Sequence, residues 1–162
     1  MKSLARRCIR LLAALLGTLA VAAQPVTTSI VITRAWSRAT VPGARMGVAY
    51  FEIMNSGPPD ALTAVESPVA RRVELHSMAM VSGMMQMRPV ASVDLPTSER
   101  VVFGPQGLHA MLVDLKRPLR EGERVPLTFL FRRAGRVQAE ALVGGLGAMA
   151  SPALESVSRE RH

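Results

Sequence analysis

Short apolar runs broken by glycine- and proline-rich turns predict an all-β chain, folded as an antiparallel sandwich or barrel. The runs recur at near-regular spacing, and no sustained 3.6-residue apolar period follows the first two dozen residues, so strands are expected where helices are not. In order, the candidate strands are SIVIT (29–33), MGVAYFEIM (46–54), ALTAVES (61–67), RRVELHS (71–77), GMMQMRPV (83–90), RVVFG (100–104), HAMLVDL (109–115), VPLTFLF (125–131) and RVQAEALV (136–143). Asn55-Ser56-Gly57-Pro58-Pro59-Asp60, Gly104-Pro105-Gln106-Gly107 and Arg120-Glu121-Gly122-Glu123 supply turn chemistry between them.

The first 23 residues read as an export signal: a basic start (Lys2, Arg6, Arg7, Arg10), an apolar run over 11–23 and a small-residue cleavage site. The run falls short of the roughly 20 residues a spanning helix needs, so no stable membrane insertion is expected after cleavage. The organisation expected is a signal peptide over 1–23, one domain over 24–145 and a flexible, small-residue tail over 146–162. The expected location is the periplasm. Cys8, the one cysteine, precedes the apolar run, so it is not placed to become a lipidated first residue, and the processed chain has no disulfide or thiolate metal site. Four of the 20 basic residues lie in the signal; the other sixteen against 12 acids leave a net charge of about +4. Those charges are scattered and aromatics are only 4% of the chain, which argues against a stacking or groove-reading nucleic-acid module.

The chain has three histidines and ten methionines, and four of these residues form one spaced set: His76, ten residues, Met87, twenty-one residues, His109, one residue, Met111. Strand alternation points His109 and Met111 to the same side, away from Leu108, Ala110 and Leu112, and separates Glu74 and His76 from Val73 and Leu75. Met85 and Met87 share a face just before Pro89. Five methionines between Met78 and Met87 lie among Ser, Gly and Gln, a setting too polar for a core segment. Met78 and Met80 share the face of His76 if its strand continues, as an entry path or alternative ligands. Imidazole nitrogen and thioether sulfur are neutral, soft donors, a set that suits Cu(I) and discourages hard cations. Glu74 or Asp114 could complete a zinc set, but thioether is a poor zinc ligand, alternation puts Asp114 on the face opposite His109, and no His-Glu-x-x-His pattern exists. Imidazoles must be neutral to bind metal while thioethers do not titrate, so Cu(I) affinity is expected to fall below about pH 6.5.

The set His-x10-Met-x21-His-x-Met resembles the motif of the periplasmic copper chaperones of the PCuAC type. The resemblance covers 30–143 and includes Ala35-Trp36-Ser37-Arg38-Ala39-Thr40-Val41-Pro42-Gly43, Val73-Glu74-Leu75-His76, Met87-Arg88-Pro89-Val90 and Gly107-Leu108-His109-Ala110-Met111. It implies a cupredoxin-like Greek-key β-sandwich, antiparallel, that binds one Cu(I) at an accessible rim through His76, Met87, His109 and Met111. It also implies delivery to a copper-accepting protein, the dinuclear copper centre of cytochrome c oxidase being the recipient usually proposed, with another copper carrier as a further partner. Relatives with a His- and Met-rich tail are taken to bind extra copper there; this tail holds only Met149 and His162. Two rivals stand beside this reading, a copper-buffering protein and a structural sandwich whose methionines merely pack. No serine-histidine-acid grouping, cysteine nucleophile or paired carboxylates suggests an enzyme. Trp36 is expected to pack.

Overall fold

A computed structural model describes residues 29–152; the expected signal lies outside them, as do residues 153–162. Ten strands form the domain: β1 (Ile30–Arg38), β2 (Met46–Asn55), β3 (Asp60–Glu66), β4 (Ala70–Val81), β5 (Met84–Pro89), β6 (Val93–Leu95), β7 (Glu99–Phe103), β8 (Leu108–Leu115), β9 (Arg124–Phe131) and β10 (Gly135–Gly144). The all-β class is as expected from the sequence. Nine strands coincide with the apolar runs. The tenth, β6, is a three-residue edge strand pairing only with β3, too short to show a period.

The hydrogen-bonded order is β5-β4-β8-β7-β2-β1-β10-β9-β3-β6, with β2 also pairing β8. All pairings are antiparallel except β1 with β10 and a single contact of β7 with β8. β1 is the joint between the two layers. Its first half pairs β2 alone, whereas Trp36 and Ser37 pair both β2 and β10, and Arg38 pairs β10. Between Thr33 and Trp36 the register shifts, and Arg34 adopts a φ of 49° that makes the bulge. Trp36 packs as expected, 4.6 Å from the Tyr50 ring at this joint.

The layers meet in an aromatic cluster. Phe51 on β2 stacks on its ladder partner Phe103 at 4.2 Å and meets Phe129 of the opposite layer edge-on at 4.8 Å. Ile53, Leu62, Leu75, Leu112, Leu127 and Val143 complete the buried core. At the far end, buried Asn55 donates to the carbonyls of Pro58, Leu95 and Pro96 and accepts from the Gly57 N–H, so the end of β2 holds β6 in place. Gly57 is required there, because a Cβ would strike Ser29 Oγ. Beyond β10, Arg38 Nε donates to Ala148 O at 2.7 Å and Ser151 is buried, so the first residues of the expected tail lie against β1.

Candidate metal centre

Register, rather than proximity in sequence, assembles the site. On the β5-β4-β8 edge, His76 lies opposite His109, Glu74 opposite Met111, and Met78 opposite Met87. Cross-strand partners share a face, and so do residues two apart on one strand. His76, Met87, His109 and Met111 therefore point from one face, within three adjacent strands. Leu75, Ala110 and Leu112 alternate with them and fill the core on the other face.

The donor atoms are oriented by their neighbours. His109 Nδ1 is 3.1 Å from the Gly107 carbonyl, which can only accept, so Nδ1 carries the proton and Nε2 keeps its lone pair. His76 uses the opposite tautomer: Nε2 donates to Glu74 Oε2 at 3.2 Å, and Nδ1 faces Met87 Sδ at 3.0 Å. The two rings stand edge to face with centroids 5.8 Å apart. Burial divides the set into two tiers. His109 and Met111 are 3% and 8% exposed, whereas Met87 is 49% exposed on the edge strand. An ion approaching from β5 meets Met87 and His76 before the two buried donors.

Glu74 lies on the face of His76, as alternation placed it, and its contact with the ring is one that the sequence did not specify. It continues into a chain of charges: Arg72 Nε donates to Glu74 at 2.7 Å, Arg72 Nη1 to Asp114 at 3.3 Å, and Arg45 to the other Asp114 oxygen at 2.6 Å. The Arg72 hydrogen bond holds the Glu74 carboxyl below its ordinary range, and Arg45 does the same for Asp114. Asp114 departs from strict alternation: its φ of 54° breaks the pleat, and its carboxylate reaches Arg72 on the side of the site. Both carboxylates are engaged by guanidiniums. Among the described residues no group of three or more His, Cys, Asp or Glu side chains is placed to hold an ion. The convergent donors are imidazole and thioether, and these fit a soft monovalent ion.

A sequence model of the LpqE-like family, described as lipoproteins, matches residues 30–143. A protein of Leifsonia xyli subsp. xyli (strain CTCB07) that bears a lipoprotein name is 28% identical over 102 residues, 62% of this chain and 60% of that protein. The chain thus spans about three fifths of the length of that curated relative. Among solved structures, the fold is similar to the copper-bound PCuAC domain from PmoF2, with TM-score 0.62 and 30% identity over 72% of this chain and 93% of that one. The apo form of that domain gives TM-score 0.64 at 30% identity over 75% and 94%. The Cu(I) form of DR1885 from Deinococcus radiodurans, solved in solution, gives 0.52 at 30% identity over 68% and 74%.

Proposed function

Because the chain belongs to the LpqE-like family, which is the PCuAC-like family, we propose that it is an exported carrier that binds one Cu(I) through His76, Met87, His109 and Met111 and hands it to another protein. The observation that carries this reading is the shared face of the four donors, with His76 Nδ1 turned to Met87 Sδ at 3.0 Å. The names of two similar structures speak of bound copper, one of them as Cu(I). Export accords with the basic and apolar start of the chain and with the lipoprotein descriptions of its relatives.

Cu(I) is cargo in this reading. Two thioethers and two neutral imidazoles bind it without adding negative charge and hold it less tightly than thiolates do, so passage to a cysteine-bearing recipient is downhill. The copper-accepting subunit of cytochrome c oxidase, whose dinuclear centre contains thiolates, is such a recipient. The tiered burial favours delivery over storage. Half-exposed Met87 can swing off the ion and open a coordination position to an incoming ligand, while His109 and Met111 keep their hold. A buffering protein gains nothing from an open rung.

The test is an anaerobic Cu(I) competition titration against a chromophoric chelator, with a His109→Ala, Met111→Ala double variant alongside. One tightly held equivalent in the wild type and much weaker binding in the variant is the expected result. Equal, weak binding by both would leave the methionines as packing residues. Delivery is tested separately, by deletion under copper limitation: loss of oxidase activity supports it, and copper sensitivity alone points to buffering.

A further inference from the structure

β4 and β5 run past their last partner. β8 pairs β4 only as far as Ser77 opposite Leu108, and Met78 N–H bonds Gly107 O at 3.1 Å, so Ala79–Val81 and Met84–Gln86 form a two-stranded ribbon that projects from the sheet. Its tip is a two-residue turn, Ser82 and Gly83, with φ of 50° and 79°, as a type I′ hairpin requires. A free ribbon usually carries charged or polar side chains outward. This one carries thioethers.

The pairing arranges them in rungs. Met80 lies opposite Met85 and Met78 opposite Met87, and all four share the face of His76. Opposite Cβ atoms in such a ladder are about 5 Å apart, and successive rungs about 7 Å. Met80 and Met85 are 64% and 50% exposed, so they do not serve the core. The lower rung already reaches the copper set, since Met87 Sδ touches His76 Nδ1. The row is therefore continuous from the hairpin tip to the site.

We propose that Met78, Met80 and Met85 form a second, weaker Cu(I) site, from which the ion passes down the ladder to Met87 and His76. This inference rests on the copper reading of the four-residue set. Three thioethers make an uncharged, soft coordination set that can hold Cu(I) but lacks the imidazole nitrogens of the lower site, so its affinity is lower and the gradient runs inward. Passage is ligand exchange between neutral sulfurs, with no change of oxidation state. Because the donors carry no charge, the upper site adds no electrostatic trap that would stall the ion.

The experiment uses the exported chain with 13C-methyl methionine, titrated anaerobically with Cu(I), beside a Met80→Leu, Met85→Leu variant. Leucine keeps the apolar surface and removes the sulfur, so an effect of the change is not an effect of lost apolar docking area. The first equivalent is expected to move the Met87 and Met111 methyl signals, and further Cu(I) those of Met78, Met80 and Met85. The variant is expected to keep the first equivalent at unchanged affinity, to lose the second, and to load several-fold more slowly from a Cu(I)–glutathione donor. Met80 and Met85 signals that stay fixed while Met87 and Met111 move would overturn the proposal, as would a variant that loads as fast as the wild type. If Met87 and Met111 stay fixed, it is the four-residue site that fails.

Discussion

His109 shows how a single backbone carbonyl can prepare an imidazole for the ligand role proposed for it. Gly107 O, two residues upstream, accepts a hydrogen bond from Nδ1–H, and the buried ring then has one nitrogen free and one orientation. His76 obtains the same service from Glu74, which is itself held by Arg72. Groups that orient a ligating imidazole commonly contribute ten- to a hundredfold to metal affinity. Glu74→Ala is accordingly expected to weaken Cu(I) binding by about tenfold while leaving the fold intact, as read by competition titration and far-UV circular dichroism. An unchanged affinity would mean that Met87 contact alone fixes the His76 ring. The four proposed donors could be nominated from spacing and donor chemistry, and Glu74 could be placed on the face of His76. The ring-orienting contacts of Glu74 and Gly107 could not, because tautomer selection depends on which atoms a ring edge meets, and alternation says only which side it faces.

Asp60 does at the level of elements what those groups do for a ring. At the start of β3 its carboxylate accepts N–H bonds from Ala61 at 2.7 Å, Arg133 at 2.9 Å and Ala134 at 2.8 Å, pinning the β9–β10 turn to the β3 edge. Partial burial, which would raise its pKa, is outweighed by those three N–H groups, and the net shift is downward. A carboxyl with a depressed folded-state pKa contributes stability that is fully present above its unfolded value of about 3.9 and is lost as pH falls through the folded value. Asp60→Ala is expected to cost about 1.5–3 kcal/mol at neutral pH, measured by urea unfolding, with the gap to wild type closing in acid below about pH 3.9. A gap that persists undiminished in acid would assign the loss to packing. The strands themselves announced their positions through apolar alternation, but β4 and β1 run well beyond the ends of their apolar runs. β4 continues through Ser77 and Ala79 to Val81 because β5 pairs with it, and β1 continues to Arg38 because β10 does. Pairing supplies the hydrogen bonds that local composition does not advertise.

Across the whole molecule, the aromatic cluster is built on β2, β7 and β9 and the candidate site on β4, β5 and β8, the two being joined where β2 pairs with β8. Phe51 touches both layers through Phe103 and Phe129, so Phe51→Ala is expected to destabilise the domain by about 3–5 kcal/mol in chemical denaturation. Copper should act in the opposite direction. The four donors sit on three strands from separate parts of the chain, a set that an unfolded chain does not hold together. Binding confined to the folded state adds about 2.7 kcal/mol when free Cu(I) is 100 times the dissociation constant. Anaerobic thermal unfolding should therefore rise with Cu(I), and hydrogen exchange should slow on β4, β5 and β8 in particular. A melting temperature indifferent to Cu(I) would place the ion off the fold.

Alternation and turn residues were enough to establish the β class, most strand positions and the soft character of the donors, because those are properties of neighbours along the chain. The order of strands, the layer switch at β1 and the tiered exposure of the four donors required the fold, since they arise from pairings between residues far apart in sequence. Met87 and Met111 illustrate the division. Both are thioethers on strands, yet one lies on an edge strand half in water and the other is shut between β2 and β4. Long-range register made one of them an open rung and the other a fixed anchor, because burial is set by which strand comes to lie on each side.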